Sequence, residues 1–315
     1  MAGGGLGGLA GQSGLDEEAA ASGMEVAAEV SLAVAAKASG ENFPVALRVL
    51  PRAWRANLTA LYGFARLTDD IGDEPLPGLP ADASEETQRA IRLRLLDDLQ
   101  GDVAKIYTGG EPELPAIRAL KKTVEECTIP RQPFDDLIQA NRQDQLVKRY
   151  ETYEDLKKYC ELSANPVGQV VLYIVGAATP ERLRQSDSIC TALQLVEHWQ
   201  DVAEDLRNGR VYLPQEDLRG FAVTEADLAR ETAGPDVIKL MAFQAKRASE
   251  LLDSGAPLAG TLKGAARLAI SGYVAGGRAA LRAIREAGYD VLRQTPKPGK
   301  AATLAGLVSC YVRGR

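Results

Sequence analysis

Two acidic clusters, each set in an apolar stretch with helical periodicity, place the strongest constraint on the fold of this chain. The first is Asp69-Asp70-Ile71-Gly72-Asp73 and the second is Asp201-Val202-Ala203-Glu204-Asp205. In each cluster aspartates recur at positions i and i+4, so on a helix they share one face. Carboxylates stacked in this way repel each other and lower the stability of the helix.

Magnesium ions would relieve this repulsion, because Mg²⁺ prefers oxygen ligands. If the two acidic faces meet in the core of a helical bundle, they could hold Mg²⁺ and, through it, a diphosphate. The sequence therefore predicts a magnesium site. Its candidate ligands are Asp69, Asp70, Asp73, Asp201 and Asp205.

The alternative for any single acidic cluster is a solvated helix face without a function. Apolar runs precede both clusters, at 61–65 and at 192–196, and they favour helix ends that point inward. Burying about four carboxylates without cations would cost several kcal/mol each. Burial of both clusters would therefore imply metal ions.

Helical periodicity dominates the chain from residue 42 onward and predicts an all-α, single-domain fold. We find no alternation of strands and helices and no glycine-rich phosphate loop. Pro166 and Gly168 should bend one long helix. The predicted helices cover 52–73, 84–107, 114–127, 133–145, 153–175, 186–207, 235–254 and 261–287.

The ends of the chain differ in composition from this helical domain, which we place at 36–295. Residues 1–35 are rich in Gly and Ala, which is typical of a disordered leader, although 24–38 could form a weak helix. Residues 296–315 begin with two prolines and a glycine within four positions. We therefore expect an irregular C-terminal tail over 296–315.

Charge and composition argue against several classes of function. The net charge is −6 and no basic run interleaves with aromatic residues, which argues against a nucleic-acid partner. The single histidine, His198, argues against a histidine-based zinc site and against a Ser-His-Asp triad. Four scattered cysteines indicate reduced thiols in a cytoplasmic protein. No apolar run is long enough for a transmembrane helix, while peripheral contact with the cytoplasmic membrane stays open.

Arginines and tyrosines near the clusters are candidates for binding a diphosphate and a carbocation. Arg66 stands one turn before the first cluster, and Arg207 and Arg210 follow the second. A guanidinium can bind phosphate in a bidentate manner, although an ordinary helix ion pair is at least an equal alternative for Arg207. Aromatic faces stabilise positive charge and a tyrosine hydroxyl can donate to a leaving group, with core packing as the alternative. The candidate tyrosines are Tyr62, Tyr159, Tyr173 and Tyr273.

Several separated motifs, in the same order, resemble the squalene and phytoene synthase family. They are Tyr62-x-Phe64-Ala65-Arg66-x-x-Asp69-Asp70-x-x-Asp73, Pro166-Val167-Gly168, Gln200-Asp201-Val202-Ala203-Glu204-Asp205 and Gly209-Arg210-Val211-Tyr212-Leu213-Pro214. The resemblance covers residues 36–295. It implies an isoprenoid-synthase-type helical bundle with a central apolar cavity, which joins prenyl diphosphates head to head with Mg²⁺.

The same resemblance implies roles for individual residues. Arg66 corresponds to the arginine that faces the diphosphate. The carboxylates that bridge Mg²⁺ correspond to Asp69, Asp73, Asp201 and Asp205. The lining of the central cavity corresponds to Tyr62, Tyr159, Gln194 and Tyr273.

Within this family, three stretches resemble the bacterial hydroxysqualene synthases of hopanoid biosynthesis. They are Asn141-Arg142-Gln143-Asp144-Gln145, Ser163-Ala164-Asn165-Pro166-Val167-Gly168 and Trp199-Gln200-Asp201-Val202. Those enzymes take presqualene diphosphate, remove the diphosphate and add water without a nicotinamide cofactor. The resemblance therefore implies presqualene diphosphate as the substrate, with hand-over from a presqualene diphosphate synthase.

Three positions depart from the condensing members of the family. Gln200 stands where those members often carry Arg, Ser39 where some carry His, and Glu197 where Asn is usual. Fewer cations suit a substrate with one diphosphate, which favours hydroxysqualene synthesis. The candidates for taking the proton of the captured water are Glu197, His198, Tyr159 and the departing diphosphate.

Two alternatives stay open at this point. A squalene, dehydrosqualene or phytoene synthase would start from farnesyl or geranylgeranyl diphosphate. A catalytically inactive helical assembly partner would keep the motifs without turnover, although the intact aspartates argue against it.

Overall fold

The computed structural model describes Ala27, residues 50–76 and residues 83–315. Helices fill most of this part of the chain, and its β-type pairing is an isolated bridge between Arg149 and Val211. The all-α prediction is therefore confirmed. In chain order the helices are α1 (Arg52–Asp73), α2 (Glu85–Thr108), α3 (Pro115–Cys127), α4 (Gln132–Leu146), α5 (Tyr153–Ser163), α6 (Asn165–Ile174), α7 (Pro180–Gln200), α8 (Val202–Arg207), α9 (Gln215–Gly220), α10 (Glu225–Leu228), α11 (Pro235–Gly255), α12 (Leu258–Thr261), α13 (Gly264–Glu286) and α14 (Lys300–Arg313).

Local sequence signals set the ends of several helices. The hydroxyl of Ser84 accepts a backbone N–H in the first turn of α2, and Gly109 follows the helix in the left-handed conformation, with φ of 78°. A reciprocal capping box between Thr152 and Asp155 begins α5. These caps satisfy backbone groups that have no partner inside the helix.

Apolar side chains join the long helices into one bundle. Phe64 of α1 and Phe134 of α4 are fully buried and meet edge to face, with ring centroids 5.2 Å apart. Trp199 of α7 is also fully buried, in a cluster that includes Met241 of α11 and Ile284 of α13. Burying a side chain of this size stabilises the fold by roughly 1.5–3 kcal/mol. The packing therefore fixes the positions of the C-terminal ends of α1 and α7, which lie at the two acidic clusters.

The long helix predicted over 153–175 is divided in two, and the bend falls at Ala164, between α5 and α6. Pro166 follows two residues later. Because proline has no N–H, it cannot continue the hydrogen bonding of α5, but it is suited to the first turn of α6. The predicted bend is therefore present.

The helix predicted over 186–207 begins earlier, at Pro180, and breaks at Asp201. The break is slight, since the N–H of Asp205 still donates to the carbonyl of Asp201 at 2.8 Å. The two aspartates therefore keep helical spacing, although they do not lie within one continuous helix.

The expectation of an irregular C-terminal tail is wrong for Lys300–Arg313, which form α14. Gly306 of α14 faces Ala275 of α13 closely enough that an added Cβ would lie 3.4 Å from the Cβ of Ala275. The prolines and the glycine of the tail lie before α14, and the amphipathic helix begins directly after Gly299.

Part of the predicted organisation cannot be compared with the structure. The leader predicted over 1–35, apart from Ala27, and Ser39 lie outside the described residues. Within the described ranges, no helix is both long enough and apolar enough to cross a membrane.

Candidate active site

The end of α1, which carries the first acidic cluster, is held by side chains from two other helices. The guanidinium of Arg92 in α2 donates to two carbonyls there, at 2.5 and 2.8 Å. Gln145 of α4 donates to a third at 3.1 Å. The last carbonyls of a helix lack intrahelical partners and carry partial negative charge. These donors therefore fix the direction in which α1 presents Asp69 and Asp73.

The two acidic clusters face each other across a polar cavity of about 380 Å³. One wall is the end of α1. The opposite wall is the end of α7 with the start of α8, and α4 and α5 contribute between them. The structure thus brings together two clusters that are far apart in sequence. The carboxylates in this lining are those of Asp69, Asp73, Asp144, Glu197, Asp201 and Asp205.

Burial and mutual repulsion raise the pKa values of three carboxyl groups in this lining, those of Asp69, Glu197 and Asp205. Burial raises the pKa of Asp69 to about 6, and Asp73 adds to the rise. Burial and the charge of Asp201 raise the pKa of Asp205 to about 7, and the same two causes raise the pKa of Glu197. Asp69 is exposed to the cavity, but protein surrounds that space, so its carboxyl is poorly solvated. The cavity has an excess of negative charge that cations would neutralise.

Arg210 connects the two sides of the cavity. Its Nη2 atom lies 2.7 Å from Oδ1 of Asp73. Arg207 is exposed instead, and its Nε donates to the carbonyl of Ala203 in its own helix. Of the two arginines that follow the second cluster, Arg210 is therefore the one placed to contact an anion in the cavity.

An amide from α4 contacts the first cluster. Nδ2 of Asn141 lies 3.4 Å from Oδ1 of Asp69 and 3.3 Å from the carbonyl of Leu137. Asn141 fits against α1 because residue 72 is glycine, where an added Cβ would lie 2.3 Å from Oδ1 of Asn141. The sequence marked the stretch around Asn141 by family resemblance alone, and no local pattern assigned this residue to the site.

Asp144, one turn further along α4, pairs with Tyr159 of α5. The tyrosine hydroxyl donates to Oδ2 of Asp144 at 2.8 Å, and both residues are buried. Burial raises the pKa of Asp144 to about 6, although the bond from Tyr159 opposes the rise. Oδ1 of Asp144 is buried without a hydrogen-bond partner among the described residues. A buried oxygen of this kind is suited to a cation or a bound water.

Aromatic rings cover the cavity next to this pair. The rings of His198 and Tyr212 stack with centroids 3.7 Å apart, and Tyr159 lies 5.8 Å from Tyr212. Nε2 of His198 lies 3.2 Å from Nε2 of Gln194. Burial and, to a smaller extent, Arg210 lower the pKa of His198 to about 3. The imidazole is therefore neutral at pH 7 and adds no positive charge to the site.

An apolar cavity of about 240 Å³ adjoins the polar cavity. Ser163, Gln194 and Glu197 line both, so the two spaces share a boundary. Tyr273 lines the apolar cavity, and half of its side chain is exposed to this space. Many protein atoms surround it, and burial raises the pKa of its hydroxyl. The site thus combines an acidic chamber with an apolar one.

The donors of the polar cavity fit magnesium in type, but they form two opposing walls rather than one closed ligand set. Within the described residues, no three His, Cys, Asp or Glu side chains form a preformed metal site. Mg²⁺ is commonly held by one or two carboxylates together with water and substrate phosphates. Asp69 with Asp73, and Asp201 with Asp205, can supply such partial sets.

Comparison with known proteins agrees with this arrangement. A family model described as squalene/phytoene synthase matches residues 36–301 of the chain. The chain belongs to the squalene/phytoene synthase family. It is 34% identical over 224 residues to hydroxysqualene synthase from Rhodopseudomonas palustris, and this match covers 71% of this chain and 72% of that protein. It is 32% identical over 221 residues to phytoene synthase from Arthrospira platensis, and this match covers 66% of this chain and 68% of that protein.

A solved structure shows that the fold is shared within the squalene/phytoene synthase family. The structure of squalene synthase HpnC from Alicyclobacillus acidocaldarius is 37% identical to this chain, with a TM-score of 0.71. The match covers 85% of this chain and 95% of that one. The predicted isoprenoid-synthase-type bundle is therefore confirmed.

Three residues expected in the site from the squalene/phytoene synthase motif of α1 lie outside the two cavity linings. Asp70 is buried, and its Oδ1 lies 2.7 Å from Nε of Arg66. Tyr62 is half-buried one turn before Arg66. A rotation of about 100° per residue separates Asp70 from the helix face that carries Asp69. In this structure Arg66 therefore neutralises Asp70 rather than facing the cavity.

The segment between α13 and α14 contacts the second squalene/phytoene synthase motif. The expectation of an irregular tail did not predict this contact. The side-chain amide of Gln200 donates to the carbonyl of Pro296. Oγ1 of Thr295 lies 3.5 Å from Oδ1 of Asp201. Burial raises the pKa of Asp201, and Thr295 and Lys297 oppose the rise. Gln200 thus holds this segment beside the cavity instead of lining it.

Proposed function

We propose that this squalene/phytoene synthase family member is a hydroxysqualene synthase, which converts presqualene diphosphate and water to hydroxysqualene and diphosphate with Mg²⁺. The observation that supports this most is the shared boundary between the acidic cavity and the apolar cavity. A substrate with one diphosphate group and long hydrocarbon chains suits both spaces. The relative from R. palustris that is 34% identical is a hydroxysqualene synthase by name.

The acidic cavity binds the diphosphate in this proposal. Asp69 and Asp73 on one wall, and Asp201 and Asp205 on the other, would hold Mg²⁺. Mg²⁺ held there would supply positive charge to offset the negative charge of the leaving diphosphate. Arg210 lies in the same lining and supplies a guanidinium for the diphosphate oxygens.

The boundary between the cavities is where water meets the hydrocarbon. Loss of diphosphate leaves a carbocation, and the rings of Tyr159 and Tyr273 stabilise positive charge from the two sides. Ser163 and Gln194 offer hydrogen bonds to one water, while the apolar lining excludes others. The cyclopropylcarbinyl cation rearranges as one C–C bond of its ring breaks, and the water oxygen then bonds to the rearranged, open-chain cation. Glu197 takes the proton of this water at a carboxylate oxygen, which gives hydroxysqualene.

A condensing synthase is the second candidate, favoured by the 32% identity to phytoene synthase from A. platensis. Such an enzyme binds two diphosphates. Among the described residues of the polar lining, Arg210 is the one side chain that is cationic at pH 7, because His198 is neutral. Gln200 adds no charge and lies outside the lining. This low positive charge supports the substrate with one diphosphate.

Product analysis tests the proposal. The purified protein receives presqualene, farnesyl or geranylgeranyl diphosphate with Mg²⁺, with and without NADPH, and the products are identified by gas chromatography and mass spectrometry. We expect hydroxysqualene from presqualene diphosphate without NADPH, and no product when EDTA removes the metal. A product from farnesyl or geranylgeranyl diphosphate alone would support the condensing synthase. Absence of diphosphate release from all substrates would support an inactive partner.

Variants of the two walls test the assignment of the site. Asp69→Asn and Asp201→Asn should each lower turnover by about 100-fold or more, because each removes a charged ligand for the Mg²⁺ that would stabilise the leaving diphosphate. Asp253→Asn is the matched control, since this residue lies on the exposed face of α11. Full turnover in either wall variant would remove the metal assignment.

A further inference from the structure

The last helix, α14, presents an apolar stripe to the outside of the bundle. Leu304, Val308, Tyr311 and Val312 stand at i, i+4, i+7 and i+8, so they share one helix face. Their exposed fractions are 62%, 57%, 38% and 73%. Of the seven exposed large apolar side chains within the described ranges, four belong to this helix. Such a concentration marks an interaction surface.

The opposite face of α14 packs on the bundle, so the stripe does not result from a detached helix. Cys310 is buried, and Gly306 faces α13. Arg267 of α13 donates to the carbonyl of Val312 at 3.3 Å. Its guanidinium also lies over the ring of Tyr311, 5.2 Å from the centroid. These contacts hold the helix with its stripe facing outward.

The charge around the stripe is positive. Residues 291–315 contain no Asp or Glu, although the whole chain has a net charge of −6. An apolar helix face bordered by Lys and Arg is typical of a helix that lies in the interface of an anionic bilayer. A two-fold contact between two copies through this same face would instead bring the cations of both copies close together, which disfavours an interface between copies of the chain. The exposed cations of this segment whose side chains the structure describes are Arg293, Lys297, Arg313 and Arg315.

The stripe lies close to the apolar cavity. α14 packs on α13, and Ile270 and Tyr273 of α13 line that cavity. One helix therefore separates the exposed stripe from the space proposed to hold the hydrocarbon chains. A protein that docks through α14 has its apolar cavity near the bilayer, where lipid substrates and products dissolve.

We propose that α14 docks this protein on the surface of an anionic lipid bilayer, with Leu304, Val308 and Val312 inserted at the boundary between headgroups and acyl chains. The flanking cations bind the lipid headgroups. Docking does not depend on which prenyl reaction the protein catalyses, so its test is separate from the test of the proposed function.

Co-sedimentation of the full chain with lipid vesicles tests the proposal. We expect binding to vesicles made of equal parts phosphatidylcholine and phosphatidylglycerol, and weaker binding to phosphatidylcholine alone or at high salt. The variant Leu304→Gln/Val308→Gln/Val312→Gln should lower the partition constant at least about tenfold, because three inserted side chains become polar. Leu146→Gln is the matched control. It replaces a side chain that is 63% exposed at the end of α4, and it should bind like the wild type.

A charge variant provides an independent test. Arg313→Glu/Arg315→Glu should weaken binding to the anionic vesicles, whereas Lys239→Glu, on the exposed face of α11, should not. All replaced side chains are exposed, so circular dichroism should show unchanged helicity.

Three results would overturn the proposal. The first is wild-type protein that binds neither type of vesicle. The second is unchanged vesicle binding by the variant with three glutamines. The third is concentration-dependent dimerisation that this variant abolishes, since the stripe would then be an interface between two copies of the chain.

Discussion

Gly72 lies between Asp69 and Asp73 on α1, and its replacement by alanine tests whether the contact with α4 sets the geometry of the site. At an exposed position inside a helix, Gly→Ala stabilises a protein by about 1 kcal/mol, because alanine loses less conformational entropy. At Gly72 the added Cβ would lie 2.3 Å from Oδ1 and 3.3 Å from Cγ of Asn141. Non-bonded heavy atoms prefer about 3.5 Å, so the amide must withdraw by about 1 Å.

Asn141 is not free to withdraw, because it is buried and contacts both Asp69 and the carbonyl of Leu137. Overpacking of this kind costs about 1–3 kcal/mol, against a gain of about 1 kcal/mol from helix propensity. We therefore expect Gly72→Ala to destabilise the fold by about 0–2 kcal/mol. A shift of about 1 Å at a reacting group can lower turnover about 100-fold. The increase in the activation free energy should therefore exceed the decrease in the free energy of unfolding.

Urea unfolding and the rate of diphosphate release measure the two effects. Gly63→Ala is the matched control, since Gly63 lies on the same helix with no described neighbour within 4 Å of an added Cβ. It should gain up to about 1 kcal/mol and keep full turnover. Adding Asn141→Ala to Gly72→Ala removes the clash, so the pair should cost less than the sum of the single changes. A Gly72→Ala protein as stable as Gly63→Ala, with wild-type turnover, would refute this reasoning.

Two further predictions concern the charge of the cavity and the packing of α6. The pKa values of Asp69 (about 6) and Asp205 (about 7) are raised in the folded protein. Between about pH 4 and pH 7 the folded protein therefore keeps protons on these two carboxyl groups, whereas the unfolded chain has already released them. Metal-free protein should therefore lose stability as the pH rises through this window. Mg²⁺ should raise the melting temperature more at about pH 8 than at about pH 5. Equal increases in melting temperature at both pH values would contradict the assignment of these carboxylates to the metal site. An added Cβ at Gly168 would lie 2.4 Å from Sγ of Cys190, so Gly168→Ala should destabilise the protein by about 1–3 kcal/mol. Gly101→Ala, with no described neighbour within 4 Å, is its control, and equal urea midpoints for the two variants would show that α6 and α7 can separate freely.

The helix that carries the first acidic cluster was predictable because strong local signals specify it. The apolar period of α1, followed by a proline-rich stretch, predicted residues 52–73, and the helix has these bounds. The i, i+4 spacing then placed Asp69 and Asp73 on one face. Burial of the preceding apolar runs is enough to direct such faces inward.

Contacts between helices were not predictable from local patterns. Asn141 and Asp144 lie on α4 without a motif that marks them as site residues, and their approach to α1 depends on the packing of Gly72. Arg207 and Arg210 both follow the second cluster, and the turn after α8 decides that Arg210 reaches the cavity.

Two features of the structure differ from what the sequence suggested, for a related reason. Asp70 belongs to the same motif as Asp69, but helical rotation directs it to Arg66 instead of the cavity. Prolines before residue 300 suggested an irregular tail, whereas the amphipathic pattern behind them folds as α14 because α13 offers a surface on which it packs.

Joint action of the two carboxylate walls on one diphosphate is tested most directly by isothermal titration calorimetry with Mg²⁺ and inorganic diphosphate. We expect the wild-type protein to bind diphosphate when Mg²⁺ is present and not when EDTA removes it. Asp69→Asn and Asp201→Asn should each weaken this binding at least about tenfold, which corresponds to about 1.4 kcal/mol, while the control Asp253→Asn should bind like the wild type. Diphosphate binding of wild-type strength in either wall variant would contradict a joint site.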